Sequence, residues 1–149
     1  MASGQLRAEI VIVDATPSDY TDLVRLADES DLSVRFLRTG GEALQAAGKF
    51  QPGLWIVNVR LPDMSGFDVV ETLRSEGREA RFFFVADAYQ AEEEIRSRLL
   101  NAAAYLCKPV QREWITAWIS QTRKGASRAT GEGQGPNPPK IRCLSSHTA

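Results

Sequence analysis

The sequence predicts an α/β fold: a three-layer sandwich in which a doubly wound, five-stranded parallel sheet carries helices on both faces. Three observations predict it. Five short β-prone runs alternate with five helical patterns in the 149-residue chain, and strict alternation calls for parallel strands joined by right-handed crossovers. The run Leu54–Val57 is apolar without a break, as a strand covered on both faces must be. It ends at polar Asn58, and in open α/β sheets ligands and chemistry sit just outside the carboxyl ends of such strands.

Each element has its own signal. Glu9–Val13 is a β-branched strand stopping at Asp14, after which Thr16, Pro17 and Asp19 read as an N-cap, a first-turn proline and a first-turn acid. Leu23, Val24, Leu26 and Ala27 give that first helix its apolar stripe down to about Glu29, and Leu32–Leu37 alternates as the second strand. Thr39 with Glu42 has the spacing of a capping box for a short helix ending near Gly48. After the Leu54 strand, Ser65 and Asp68 open a helix that runs through Val69, Val70 and Leu73 to Gly77. Arg81–Val85, dominated by Phe82, Phe83 and Phe84, is the fourth strand, and a helix over about Gln90–Leu100 ends at Asn101, a residue that tolerates the left-handed C-cap. Tyr105–Cys107 is a short fifth strand, followed by Lys108-Pro109 and a helix from about Gln111 to Thr122.

With 43% hydrophobic and 25% charged residues, the chain suits one domain over residues 1–122. Residues 123–149 hold four of the eleven glycines and three of the seven prolines and have little to bury, so a disordered tail is expected there. The net charge of −1 hides an asymmetry, because residues 121–149 carry five Lys/Arg against one Glu. Scattered basic residues without interleaved aromatics predict a solvated tail rather than a nucleic-acid surface. Cys107 and Cys143 fall in a strand and in the tail, without metal-ligand spacing, so neither a disulfide framework nor a metal site is expected. No apolar run approaches membrane-spanning length and no signal-peptide pattern is present, which predicts a soluble cytoplasmic protein.

The order IVIVD, then VNVRLPDMSGFDVV, then YLCKPV resembles the receiver domain of two-component response regulators, over about residues 8–122. The resemblance implies a CheY-like, flavodoxin-like sheet of strand order 2-1-3-4-5. It also implies that an aspartate ending the third strand takes a phosphoryl group from a histidine kinase. The position matching that aspartate is Asn58, placed by Leu61-Pro62 and Gly66 downstream. The acidic pair that helps hold Mg2+ in the family reads Asp14-Ala15, and the hydroxyl residue ending the fourth strand matches Ala86, or Asp87 one position on. Lys108-Pro109 and the aromatic Tyr105 are intact.

Elementary chemistry gives the consequence. An amide is neutral with delocalised lone pairs and cannot form an acyl phosphate. Mg2+ wants hard anionic oxygens, and Asp14 with Lys108 sums to about zero, so the expectation is a pocket that holds no metal or other cofactor and whose lysine forms a salt bridge to Asp14, shared with Asp87 and the Asn58 carbonyl. Two escape routes are poor. Deamidation of Asn58 is hindered by β-branched Val59, and Asp63 and Asp87 lack a neighbouring carboxylate for a metal.

The reading is therefore a stand-alone, non-enzymatic pseudo-receiver that acts through protein–protein contacts. The resemblance places those contacts, with a signalling protein or a second copy, on the fourth helix, fifth strand and fifth helix. If Ile115 and Ile119 face the sheet, Tyr105, Trp114 and Trp118 supply the aromatic part of that face. The alternatives are a nucleotide- or flavin-binding flavodoxin-like domain, disfavoured because no glycine-rich loop follows the first strand, and a small-molecule sensor using the vacated pocket.

Overall fold

The computed structural model describes residues 8–30, 32–49, 51–77 and 80–127. Residues 128–149, most of the expected tail, lie outside them, as does Cys143. Five strands, β1 (Ala8–Val13), β2 (Leu32–Leu37), β3 (Leu54–Asn58), β4 (Arg81–Ala86) and β5 (Ala104–Cys107), form one parallel sheet in the order β2-β1-β3-β4-β5. This is the doubly wound order that the resemblance implies, and it puts β3 in the middle. All five residues of β3 are buried.

Alternation along the strands splits the core in two. Val11, Val13, Trp55, Val57, Phe82 and Phe84 face one side, where α2 (Gly40–Ala47) and α3 (Gly66–Ser75) bring Ala43, Ala47, Phe67, Val69, Val70 and Leu73. Ile10, Ile12, Leu54, Ile56, Phe83 and Val85 face the other, covered by α1 (Thr21–Glu29) and α5 (Arg112–Ser127) through Leu23, Leu26, Ile115 and Trp118. The period-two pattern of a pleated strand thus feeds both layers at once. The remaining helix, α4 (Ala91–Leu99), buries only Ser97.

Local signals are realised with differences. Thr39 caps α2 by accepting from the Glu42 N–H (3.1 Å), but the Glu42 carboxylate reaches one residue further back, to the Arg38 N–H (2.7 Å). Ser65 caps α3 through the Phe67 N–H (3.0 Å). Asn101 has φ +62°, as a left-handed C-cap requires. The first helix starts differently: Pro17–Tyr20 forms a 3-10 turn, and Thr16 makes no side-chain cap. Asp14 takes the Thr16 N–H instead. At the other end α5 continues through Ser127, past the expected boundary at Thr122; Arg123, Lys124 and Ala126 favour helix, and extending a helix already nucleated carries it across Gly125. Cys107, buried at the end of the edge strand β5, is disulfide-bonded, against expectation.

The loop after β3 is pinned from two sides. Asp63 accepts from the Gly40 and Gly41 N–H groups (2.8 and 3.0 Å) at the start of α2. Those amides, first the Gly40 and then the Gly41 hydrogen bond, hold the Asp63 carboxyl below its usual range. At the loop's other end Gly66 N–H donates to the Val59 carbonyl (2.9 Å), and the helix start approaches the strand end closely. A Cβ on Gly66 would lie 2.0 Å from the Asn58 carbonyl oxygen, a backbone atom that has nowhere to go. Gly66→Ala should therefore destabilise the domain by roughly 1–3 kcal/mol or more, in the manner of overpacked cores. A urea titration with an unchanged midpoint would refute this.

Candidate functional site

The carboxyl ends of β1, β3 and β5 meet at one buried carboxylate. Asp14, directly after β1, has a side chain only 3% exposed. Its Oδ1 accepts from the Thr16 N–H (2.9 Å), while its Oδ2 accepts from the Tyr20 hydroxyl (2.6 Å) and the Asn58 Nδ2 (2.9 Å) and lies 3.0 Å from Lys108 Nζ. Burial pushes the Asp14 carboxyl up, but the bonds from Asn58, Tyr20, Thr16 and Lys108 outweigh it and leave it below its ordinary value. It is ionised at neutral pH. The same burial, joined by the Asp14 charge, pushes the Tyr20 hydroxyl well above its usual range, so Tyr20 stays a donor.

Asn58 ends β3 and is fixed on both sides of its amide. Its NH2 faces the Asp14 carboxylate, and its Oδ1 accepts from the Arg60 N–H (2.8 Å). Only one orientation serves both partners, since a carboxylate cannot donate and an N–H cannot accept. The expected sharing of the Asn58 carbonyl by Lys108 is not realised: that oxygen accepts from the Arg60 N–H, and the ammonium turns to Asp14, Asp19 and Asp87.

Lys108 follows β5 and points back across the sheet end. Its ammonium contacts Asp14 (3.0 Å), Asp19 (2.7 Å) and Asp87 (3.2 Å). Burial alone would lower its pKa, but Asp19, then Asp14 and Asp87, raise it well above the ordinary lysine value. The expected charge balance is thus corrected: one ammonium faces three carboxylates, not one. Depth decides what this means. Lys108 and Asp14 are 13% and 3% exposed, a balanced inner pair, whereas Asp19 and Asp87 stand at the rim where water screens them.

Of the other predicted residues, Ala15 is exposed in the turn after Asp14 and brings no side-chain donor, and Ala86 ends β4 buried, its carbonyl accepting the Lys108 N–H (3.0 Å). Sequence reasoning misses two members of the site. Asp19 reads there only as a helix-start acid and Tyr20 does not stand out, yet the 3-10 turn over Pro17–Tyr20 swings both above Asp14. The available signal is Tyr20 itself, which continues the buried Leu23 and Leu26 stripe backward at three-residue spacing.

The expected aromatic face requires a larger correction. Tyr105 is 4% exposed and turned inward, its hydroxyl donating to Glu93 (2.7 Å) and accepting from the Gln90 N–H (3.1 Å). Trp118 is 6% exposed and sits edge-on to Phe83, with ring centroids 6.4 Å apart. Trp114 is half-buried. The inward stripe of α5 centres between Ile115 and Trp118, three residues apart, rather than on Ile115 and Ile119, because the large indole fills the space above side-chain-less Gly53, 3.7 Å from where a Cβ there would be.

Beside the site lies an open cleft of about 490 Å³, floored by Val59, Met64 and Phe67 and edged by Arg60, Glu93 and Arg96. Among the described residues no group of three or more His, Cys, Asp or Glu is arranged to hold a metal, and no helix is long and apolar enough to cross a membrane.

Comparison with known proteins gives one consistent answer. The family profile described as "Response regulator receiver domain" matches residues 10–120. The sensory transduction protein LytT of Enterococcus faecalis is 29% identical over 137 residues, covering 91% of this chain and 56% of that protein. Protein PilH of Pseudomonas aeruginosa is 22% identical over 120 residues, 79% of this chain and 99% of PilH. The regulatory protein LuxO of Vibrio cholerae is 22% identical over 107 residues, 72% of this chain but 24% of LuxO. The chain thus spans about a quarter of LuxO and about half of LytT. Among solved structures, a CheY-like receiver domain protein from Methanospirillum hungatei superposes with a TM-score of 0.72 at 21% identity, over 84% of this chain and all of that one.

Removing the ammonium should expose the imbalance. Lys108→Met leaves Asp14 buried without its counter-ion, a kind of loss that costs about 3–5 kcal/mol when a buried pair is broken; the Tyr20, Asn58 and Thr16 bonds that remain place the expected loss at or below the low end. The pH dependence has a fixed sign. The lowered Asp14 pKa contributes stability above about 3.8 that is lost as pH falls further, and the raised Lys108 pKa contributes stability below about 10.5 that is lost at higher pH. Urea melts of the variant and parent should therefore differ most between those limits and converge on strong acidification; a constant difference at all pH values would contradict the assignment.

Proposed function

Because this chain belongs to the response regulator receiver domain family, we propose that it is a receiver that signals by protein–protein contact and is not switched by phosphorylation at the end of β3. As a two-component receiver domain it is a signalling module, and we assign it no enzymatic activity. The observation that carries the reading is the Asn58 amide, locked between the Asp14 carboxylate and the Arg60 N–H at the carboxyl end of β3. Asn58 takes the phosphoacceptor position, and it lacks the anionic oxygen an acyl phosphate needs. Asp63 is no substitute, since both its oxygens are engaged by the α2 amides.

The magnesium ion that the family implies does not fit the residues present. The two Asp14 oxygens already face four donors, Asn58 Oδ1 is taken, Ala15 brings no oxygen on its side chain, and Lys108 supplies positive charge from within. Hard cations of this kind require carboxylates with free lone pairs. Lys108, Asp14 and Asn58 instead serve as a fixed structural network.

The contact face is formed by α4, β5 and α5. Its apolar exposure lies on α4, where Ile95 is 57% and Leu99 79% exposed, and not on Trp118 or Tyr105. Tyr105 joins β5 to α4 through Glu93 and Gln90, so the position of α4 and the state of this aromatic are coupled.

Incubation with acetyl phosphate and Mg2+ should give no labile phosphoryl adduct by intact mass. Asn58→Asp alone should label at most weakly: the new carboxylate would meet Asp14 at the present 2.9 Å contact, and adjacent like charges drive one of the pair to hold a proton. Efficient labelling of either protein would overturn the reading.

A further inference from the structure

We propose that Cys107 is a thiol–disulfide exchange site whose partner is Cys143 of the same chain, and that the bond straps the segment 128–144 around the outer edge of β5 onto the amino end of α4. The bond is assigned independently of the contact face above; the claim that the strap covers part of that face rests on it.

Arithmetic gives the partner. Cys107 is disulfide-bonded, and the chain has two cysteines, of which Cys143 is the other. Position gives the path. Cys107 shares a core layer with Tyr105 and Phe67, on the side where the Tyr105 hydroxyl reaches Glu93 and Gln90 of α4, whereas α5 packs on the opposite layer. Along α5 the chain runs away from the site, and at Trp118 it already meets the position of Gly53, ahead of β3. A chain that leaves α5 at Ser127 and returns to Cys107 must therefore pass the edge of the sheet, and β5 is that edge.

Length permits the return. The 16 residues of α5 span about 24 Å, and the fifteen residues between Ser127 and Cys143 reach roughly 50 Å when extended. Pro136, Pro138 and Pro139 lack the N–H that pairing with β5 would need, so the segment crosses the edge as a strap and not as a sixth strand. Charge sets the landing place. Lys140 and Arg142 flank Ile141 directly before Cys143, with no acid from Gly133 to Ala149, while Asp87, Glu92, Glu93 and Glu94 stand between the end of β4 and the middle of α4. Exposed Ile95 lies just beyond those acids and gives Ile141 or Leu144 an apolar neighbour.

The chemistry balances with a small-molecule disulfide as oxidant. The Cys143 thiolate attacks one of its sulfurs and expels a thiolate; the Cys107 thiolate then attacks the Cys143 sulfur and expels the second. Two protons leave the protein thiols, and the two electrons reduce the small molecule to two thiols. A dithiol reverses the sequence and becomes a cyclic disulfide itself. Oxidation thus covers the α4–β5 part of the contact face with the chain's own basic segment, and reduction uncovers it.

The full chain, treated with oxidised glutathione or with dithiothreitol, tests this. Peptide mapping without reduction should link the Cys107 and Cys143 peptides within a monomer, and iodoacetamide should label both cysteines only after dithiothreitol. Amides in the first turn of α4 should exchange several-fold more slowly in the oxidised protein, and Cys143→Ser, a change outside the folded core, should exchange like the reduced protein under both treatments. In Lys140→Glu/Arg142→Glu the bond should form while the slowing at α4 is lost. A Cys107 thiol that alkylates after oxidation, a bond found only between two chains, or equal α4 exchange in the oxidised and reduced protein would each overturn the proposal. The phosphodonor test reads the end of β3 and is blind to all of these outcomes, so the two readings fail separately.

Discussion

The salt bridge between Asp14 and Lys108 governs the upper end of this sheet. Burying either charge alone would cost several kcal/mol, and together they are tolerable only because both Asp14 oxygens accept hydrogen bonds, one on Oδ1 and the rest on Oδ2 beside the ammonium. That requirement reaches outward. It fixes the turn that delivers Tyr20, the orientation of the Asn58 amide, and through Asn58 the backbone at Arg60. The rim acids Asp19 and Asp87 then gather on the ammonium's free side. The geometry of the site follows from satisfying one carboxylate.

The fold is legible in the sequence because its signals are local and redundant. Apolar runs, caps at Thr39 and Ser65, and Asn101 at a left-handed position each name an element without reference to the rest. The site is half legible. Asp14, Asn58 and Lys108 stand at strand ends, which periodicity can locate. Asp19 and Tyr20 cannot be placed that way, because their approach depends on a 3-10 turn in place of a first helical turn, a difference of hydrogen-bond register that residue preferences hardly distinguish.

The tryptophans illustrate a different limit. A helical wheel resolves which residues point inward only to within a step of about 100°, and an indole can reach across such a step. Trp118 does so, filling the volume over Gly53 and meeting Phe83, where an isoleucine stripe alone would have left a void. Among the described residues the large apolar side chains most open to water are on α4 instead, a helix of largely polar composition.

Asp63 shapes how motion is distributed. By gripping the first amides of α2 from the loop that leads into α3, it couples those two helices, so that one cannot slide without the other. On the opposite flank α4 has a single buried residue and is moored largely by polar contacts, the Tyr105 hydroxyl and the arginine pairs to α3 among them. The domain is thus mechanically lopsided: a stiff plank beside a compliant one. In hydrogen exchange such a molecule would open α4 by local fluctuation while α2 and α3 exchange together.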